Sequence, residues 1–131
     1  MKPYLVLGVG NPMFGDDGFG IEAVRACEQT GVFGDDVEVM DGGTCGIYLL
    51  PHLEGRVQVW ILDAVHFRGT PGEMIVCDAE DVGKHVSVKM SEHQVTLNEV
   101  LALLELLGNK PGRIRLIGVQ PKHMIFAGGL S

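Results

Sequence analysis

Residues 4–31 read YLVLGVGNPMFGDDGFGIEAVRACEQTG: an apolar run, a glycine-rich acidic turn, then an amphipathic segment that stops at glycine. The run YLVLGV (Tyr4 to Val9) is rich in Val and Leu with little strict alternation, as a parallel strand covered on both faces should be. Through IEAVRACEQTG, Ile21, Val24 and Cys27 or Glu28 recur at helical spacing, and Gly31 supplies the stop. Two further runs match the first, VQVWILDAV (Val57 to Val65) and RIRLIGV (Arg113 to Val119). DVEVMDGG (Asp36 to Gly43) is a shorter strand candidate, and EMIVCD (Glu73 to Asp78) a fifth, placed at an edge.

The clearest helix is QVTLNEVLALLELLG (Gln94 to Gly108), where Leu97, Val100, Leu101, Leu104 and Leu107 form one apolar stripe and Gly108 serves as C-terminal cap. SEHQ gives its start: Ser91 caps, Gln94 reaches back, and Glu92 sits where the positive end of the helix dipole favours an acid. His93 projects from that same first turn, near the surface. Strands alternating with helices predict an α/β fold with a mostly parallel sheet. The chain of 131 residues is expected to form a single domain, 1–131, with no internal repeat or linker.

Composition narrows the function classes. A formal charge of −7 disfavours nonspecific binding to nucleic acid or anionic membranes. The 3 cysteines, Cys27, Cys45 and Cys77, contain no CxxC pair, so they make neither a disulfide framework nor a structural zinc site, and they fit a reducing cytosol. No apolar run approaches the roughly 18 residues of a membrane helix, and the N-terminus lacks a secretory core. A cytoplasmic protein is expected.

The acidic turn is the informative feature. In open α/β sheets ligands bind beyond the carboxyl ends of the strands. Asp16 and Asp17 follow the first strand there, Asp41-Gly42-Gly43-Thr44 follows the second, and Asp63 lies near the end of the third. Acids gathered at one crevice repel each other unless one is protonated or a cation sits among them, and a cation is the economical explanation. The competing readings are turn and cap chemistry for Asp16 and Asp17, and a satisfied hydrogen-bond acceptor for Asp63. Nucleotide binding fares worse. Met13 occupies the third glycine position of GxGxxG, so close helix packing on that motif is lost, and the acids would repel pyrophosphate. The histidines leave the ligand set open: His93 competes with His52, His66, His85 and His123, and His66 is close in sequence to Asp63. There is no HExxH, and Cys45 reads as a small buried residue rather than a nucleophile.

LVLGVGNPMFGDDGFG, DGGTCG, ILDAV, SEHQVTL and GVQP, in that order and spacing over nearly the whole chain, resemble the hydrogenase maturation proteases. These endopeptidases trim the C-terminal tail from the large subunit of [NiFe] hydrogenases. The resemblance implies a three-layer fold, a twisted sheet flanked by helices on both faces. It also implies a metal site of Asp17, Asp63 and His93, with nickel supplied by the substrate, the hydrogenase large-subunit precursor. Asp41, Gly42, Gly43 and Thr44 would contact the substrate tail. Whether a carboxylate activates water or the metal polarises the scissile carbonyl is left open. Glu92 stands where the family commonly has proline. The family's final C-terminal helix is expected to be absent after FAGGLS, leaving an apolar face that invites a homodimer. Two rival functions are a non-cleaving, nickel-sensing chaperone for the precursor and a small nucleotide-binding domain.

Overall fold

The computed structural model describes residues 1–13, 15–43, 47–78, 81, 92–122 and 130, with side chains for all of these except 47 and 92–98. Among the described residues five strands form one sheet: β1 (Tyr4–Val9), β2 (Val37–Gly43), β3 (Gln58–Ala64), β4 (Met74–Asp78) and β5 (Arg113–Val119), in the order β2-β1-β3-β5-β4. β1 pairs parallel to β2 and β3, and β3 parallel to β5; β4 runs antiparallel to β5 at the edge. Among the described residues three α-helices accompany them: α1 (Phe19–Thr30), the short α2 (Leu50–Leu53) and α3 (Glu92–Leu107).

Alternation along the strands sends side chains to two separate cores. Leu5, Leu7, Val59, Ile61, Ile114 and Leu116 face α2 and α3, meeting Leu53, Val100 and Leu104. Val6 and Leu62 face the other way and pack on Val24 of α1, with Val39, Trp60 and Ile117 beside them. Helices therefore cover both faces, as the three-layer expectation requires. β5 is buried on one face only: Ile114 and Leu116 are inside, Arg113 is exposed and Arg115 and Ile117 are partly covered. The physical reason is that α1 packs over β2, β1 and β3, so on that face Met74 and Val76 of β4 stay 62% and 45% exposed.

Three details differ from the sequence expectations. α1 begins at Phe19, two residues ahead of Ile21, on a one-turn 3₁₀ segment, Gly15–Gly18. Close packing of this helix is not lost with the third motif glycine. It passes instead to Gly20, where an added Cβ would lie 2.2 Å from the Leu62 carbonyl oxygen and 2.4 Å from that of Val9. Gly8 matches it, with an added Cβ 2.2 Å from the Gly20 carbonyl oxygen. Finally, Leu107 drops out of the apolar stripe and is exposed, because α3 ends there, where Gly108 takes φ +75° and its N–H bonds back to the Glu105 carbonyl. α1 stops as expected: the Gly31 N–H donates to the Cys27 carbonyl from a left-handed conformation. The Ser91 cap, His85, Thr44, Cys45, residues 123–129 (His123 among them) and Ser131 lie outside the described residues.

A buried arginine locks the amino-terminal edge of the sheet. Arg56, 3% exposed, donates through Nε to the His52 carbonyl at 2.9 Å, through Nη1 to the Lys2 carbonyl at 2.7 Å and through Nη2 to Glu38 Oε1 at 2.8 Å. One side chain thus ties the chain's start, α2 and β2 together.

Candidate functional site

The strand order fixes where a crevice must open. From β1 the chain passes through α1 to β2 on one side, then returns to β3 on the other side of β1. The connections diverge at the carboxyl ends of β1 and β3, the switch point at which open α/β sheets bind ligands. The acidic turn follows β1, and Asp63 is the penultimate residue of β3, so both enter this crevice.

Asp16 and Asp17 are 7% and 5% exposed, and Asp63 only 1%. Gly10 lies between the last two: a Cβ placed there would sit 2.0 Å from the Asp17 carbonyl oxygen and 3.9 Å from Asp63 Oδ1. Gly10 can fill this role because its φ of +138° is one that side chains resist. Its N–H donates to the Gly43 carbonyl at 3.0 Å, which ties β1 to the end of β2. The turn is held at both ends. The Asn11 N–H donates to Asp17 Oδ2 at 3.1 Å, and the Lys122 N–H donates to Asp16 Oδ2 at 2.7 Å. The competing turn-chemistry reading therefore holds for Asp17, whose bond closes within the loop, but not for Asp16, whose partner lies 106 residues on. It does not account for Asp63, a carboxylate buried at the end of a strand.

The other expected residues distribute as follows. Asp41 and Gly43 sit at the end of β2, where Asp41 Oδ1 accepts the Gly43 N–H at 2.9 Å and Asp41 Oδ2 lies 3.9 Å from Arg25 Nη2 of α1. Gly42 is skipped in the pairing with β1, which steps from Gly8↔Asp41 to Val9↔Gly43. Such an irregularity re-aims the chain beside a site. His52 belongs to α2 at the opposite, amino-terminal edge, since its carbonyl is gripped by Arg56 alongside Lys2. His66 follows β3 and stays at the crevice end.

His93 is the second residue of α3, and its side chain lies outside the described set. α3 reaches β5 through residues 108–112, and its Val100 and Leu104 pack in the core with Val59 and Ile61, on the sheet face to which Asp63 points by alternation. Among residues with described side chains, no group of three His, Cys, Asp or Glu is placed to hold a metal ion.

Sequence reasoning missed the segment after β5. Gln120 Oε1 accepts the N–H groups of Phe67 at 2.9 Å and Gly69 at 3.1 Å. Its backbone exchanges bonds with Gly72 and Glu73. It also lines a cleft of about 130 Å³ whose walls include Asp16, Phe19 and Pro121. The one available signal was GVQP itself, a stretch noted for its resemblance and given no task.

The chain is similar to known proteins in sequence and in fold. A sequence profile described as hydrogenase maturation protease matches residues 21–131. The hydrogenase expression/formation protein HupD of Rhodobacter capsulatus is 40% identical over 126 residues, covering 95% of this chain and 60% of that protein. HupD of Thiocapsa roseopersicina is also 40% identical, over 95% of this chain and 57% of its own length. This chain thus spans about three fifths of the length of these curated relatives. The hydrogenase maturating endopeptidase HybD of Escherichia coli superposes with a TM-score of 0.88 at 37% identity, covering 98% of this chain and 80% of that one.

Proposed function

Because this chain belongs to the hydrogenase maturation protease family, we propose that it is an endopeptidase removing the C-terminal extension of a [NiFe] hydrogenase large-subunit precursor. The observation that carries the proposal is the burial of Asp17 and Asp63 at the switch-point crevice of a family member, where Gly10 is flanked by the Asp17 backbone carbonyl and the Asp63 carboxylate. Two carboxylates with little access to water suit a divalent cation, which would relieve their mutual repulsion. In this reading His93 completes the set, and nickel arrives as part of the substrate. An incomplete protein site then binds weakly until the loaded precursor supplies the ion, so specificity for matured precursor becomes a difference of affinities. In this reading Asp41, Gly42, Gly43 and Thr44 contact the substrate tail, and Gly43 is open to close approach, with nothing within 4 Å of a Cβ built there. The protein acts in the cytoplasm. Self-association through the β4–β5 face is part of the same proposal, supported by the exposure of Met74 and Val76 beside Ile117.

Incubation with nickel-loaded precursor should shorten it at its C-terminus, whereas nickel-free precursor should stay intact. Asp63→Ala and His93→Ala should each abolish shortening. Stable capture of uncut precursor, with no product over time, would favour the chaperone reading instead. Normal processing by either variant would refute the metal assignment.

A further inference from the structure

The sequence leaves His66 as a rival to His93, and the surroundings of Gln120 bear on that rival. Gln120 Oε1 is engaged by two backbone donors, Phe67 N–H at 2.9 Å and Gly69 N–H at 3.1 Å. Turning the amide over would set its NH₂ against two N–H groups and leave both unsatisfied, so its orientation is fixed. The amide nitrogen then faces His66 Nδ1 at 3.5 Å, with the Pro121 carbonyl its other neighbour at 3.4 Å. A nitrogen that meets a donor must offer its lone pair. In the neutral ring the proton therefore resides on Nε2.

We propose that Gln120 is a positioning residue that fixes His66 in the Nε2–H tautomer, making it a hydrogen-bond donor at the carboxyl end of β3 and barring it from metal coordination. A histidine ligating through Nε2 needs a proton on Nδ1 and an acceptor to receive it; here Nδ1 meets an NH₂ group. Ligation through Nδ1 fails as well, because the Gln120 amide occupies that approach. The same clamp holds the loop after Asp63, since Phe67 and Gly69 are its anchors and Gly72 N–H donates to the Gln120 carbonyl at 2.9 Å. The exclusion from coordination rests on the metal-binding reading of the crevice; the tautomer does not.

Long-range ¹H–¹⁵N correlation spectra of protein labelled in its histidines report the tautomer directly. They are best recorded near pH 8.5, about two units above the ordinary imidazole value of about 6.5. His66 should show an unprotonated Nδ1 and a protonated Nε2. Gln120→Glu keeps an acceptor oxygen for Phe67 and Gly69 while removing the donor, so its spectrum should move the proton to Nδ1. Adding Zn²⁺ as a diamagnetic probe should leave the His66 nitrogens unshifted in the wild type. A protonated Nδ1 in the wild type, an unchanged tautomer in Gln120→Glu, or a coordination shift on His66 would each overturn the proposal. A precursor that is never cut would instead overturn the protease reading and leave these spectra as expected.

Discussion

Gly20→Ala sets two effects of opposite sign against each other. Alanine within a helix is favoured over glycine by about 1 kcal/mol, partly through the unfolded chain. Against this, the new methyl would lie 2.2 Å from the Leu62 carbonyl oxygen and 2.4 Å from the Val9 carbonyl oxygen, an ångström or more inside ordinary contact at 3.4 Å. Both obstacles are backbone atoms of central strands, so the helix has to recede. A radial gap of about 1 Å forfeits a quarter to a half of each facing dispersion contact. Val24 and Ile21, both fully buried, lose most, and overpacking of this kind costs about 1–3 kcal/mol or more. The clash wins: with backbone on both sides the cost falls at the upper end of that range, about 3 kcal/mol, and the net loss is about 2 kcal/mol after the helix gain is subtracted. At a urea slope of about 1–2 kcal/mol/M, the unfolding midpoint should fall by about 1–2 M. Because the acidic turn ends at Gly18, directly ahead of the helix, precursor processing should fall as well. A variant as stable as the wild type, or more so, would show that this glycine contact does not set the distance between α1 and the sheet.

Other perturbations separate scaffold from site. Arg56→Met removes three charge-assisted hydrogen bonds and should lower stability by about 2–4 kcal/mol in urea unfolding. Glu38→Gln keeps an acceptor in the more exposed partner and should cost less than about 1 kcal/mol. Burial, reinforced by Asp81 and Asp78 and opposed by Arg115, pushes the Cys77 thiol up. The sign follows from linkage: the folded state holds this proton longer, so its stabilising share is complete below the unfolded thiol value of about 8.5 and is lost as pH rises through the folded value. Cys77→Ala should therefore flatten the alkaline decline of the urea midpoint. Val76→Glu should abolish concentration-dependent sedimentation if the β4–β5 face self-associates, and an unchanged sedimentation profile with concentration in the wild type would refute that part of the proposal.

The strands were legible because burial on both faces leaves a local mark, a continuous Val, Ile and Leu run. β5 shows the limit of that mark: RIRLIGV alternates, and one face stays partly open because α1 is spent on β2, β1 and β3. Asp63 stood out because turn chemistry does not explain an acid at the end of an apolar run, and Asp17 because it follows a strand. Arg56 and Gln120 were illegible for the same physical reason. Their partners lie far along the chain, Lys2 for one and Phe67 for the other, and no periodicity records a hydrogen bond across such distances. The early start of α1 was hidden for a related cause: Gly20, a poor helix former, is helical because two strands leave room for nothing larger.

The bond from Lys122 to Asp16 bridges 106 positions. On a ribosome, the acidic turn emerges among the first twenty residues, yet its fastening is synthesised near the end of this sequence. The same holds for the loop beyond Asp63, whose clamp arrives with Gln120. Contacts so distant in sequence close slowly. A nascent chain can thus lay down β1, α1 and β2 early while its crevice stays unlatched until Gln120 and Lys122 have been made.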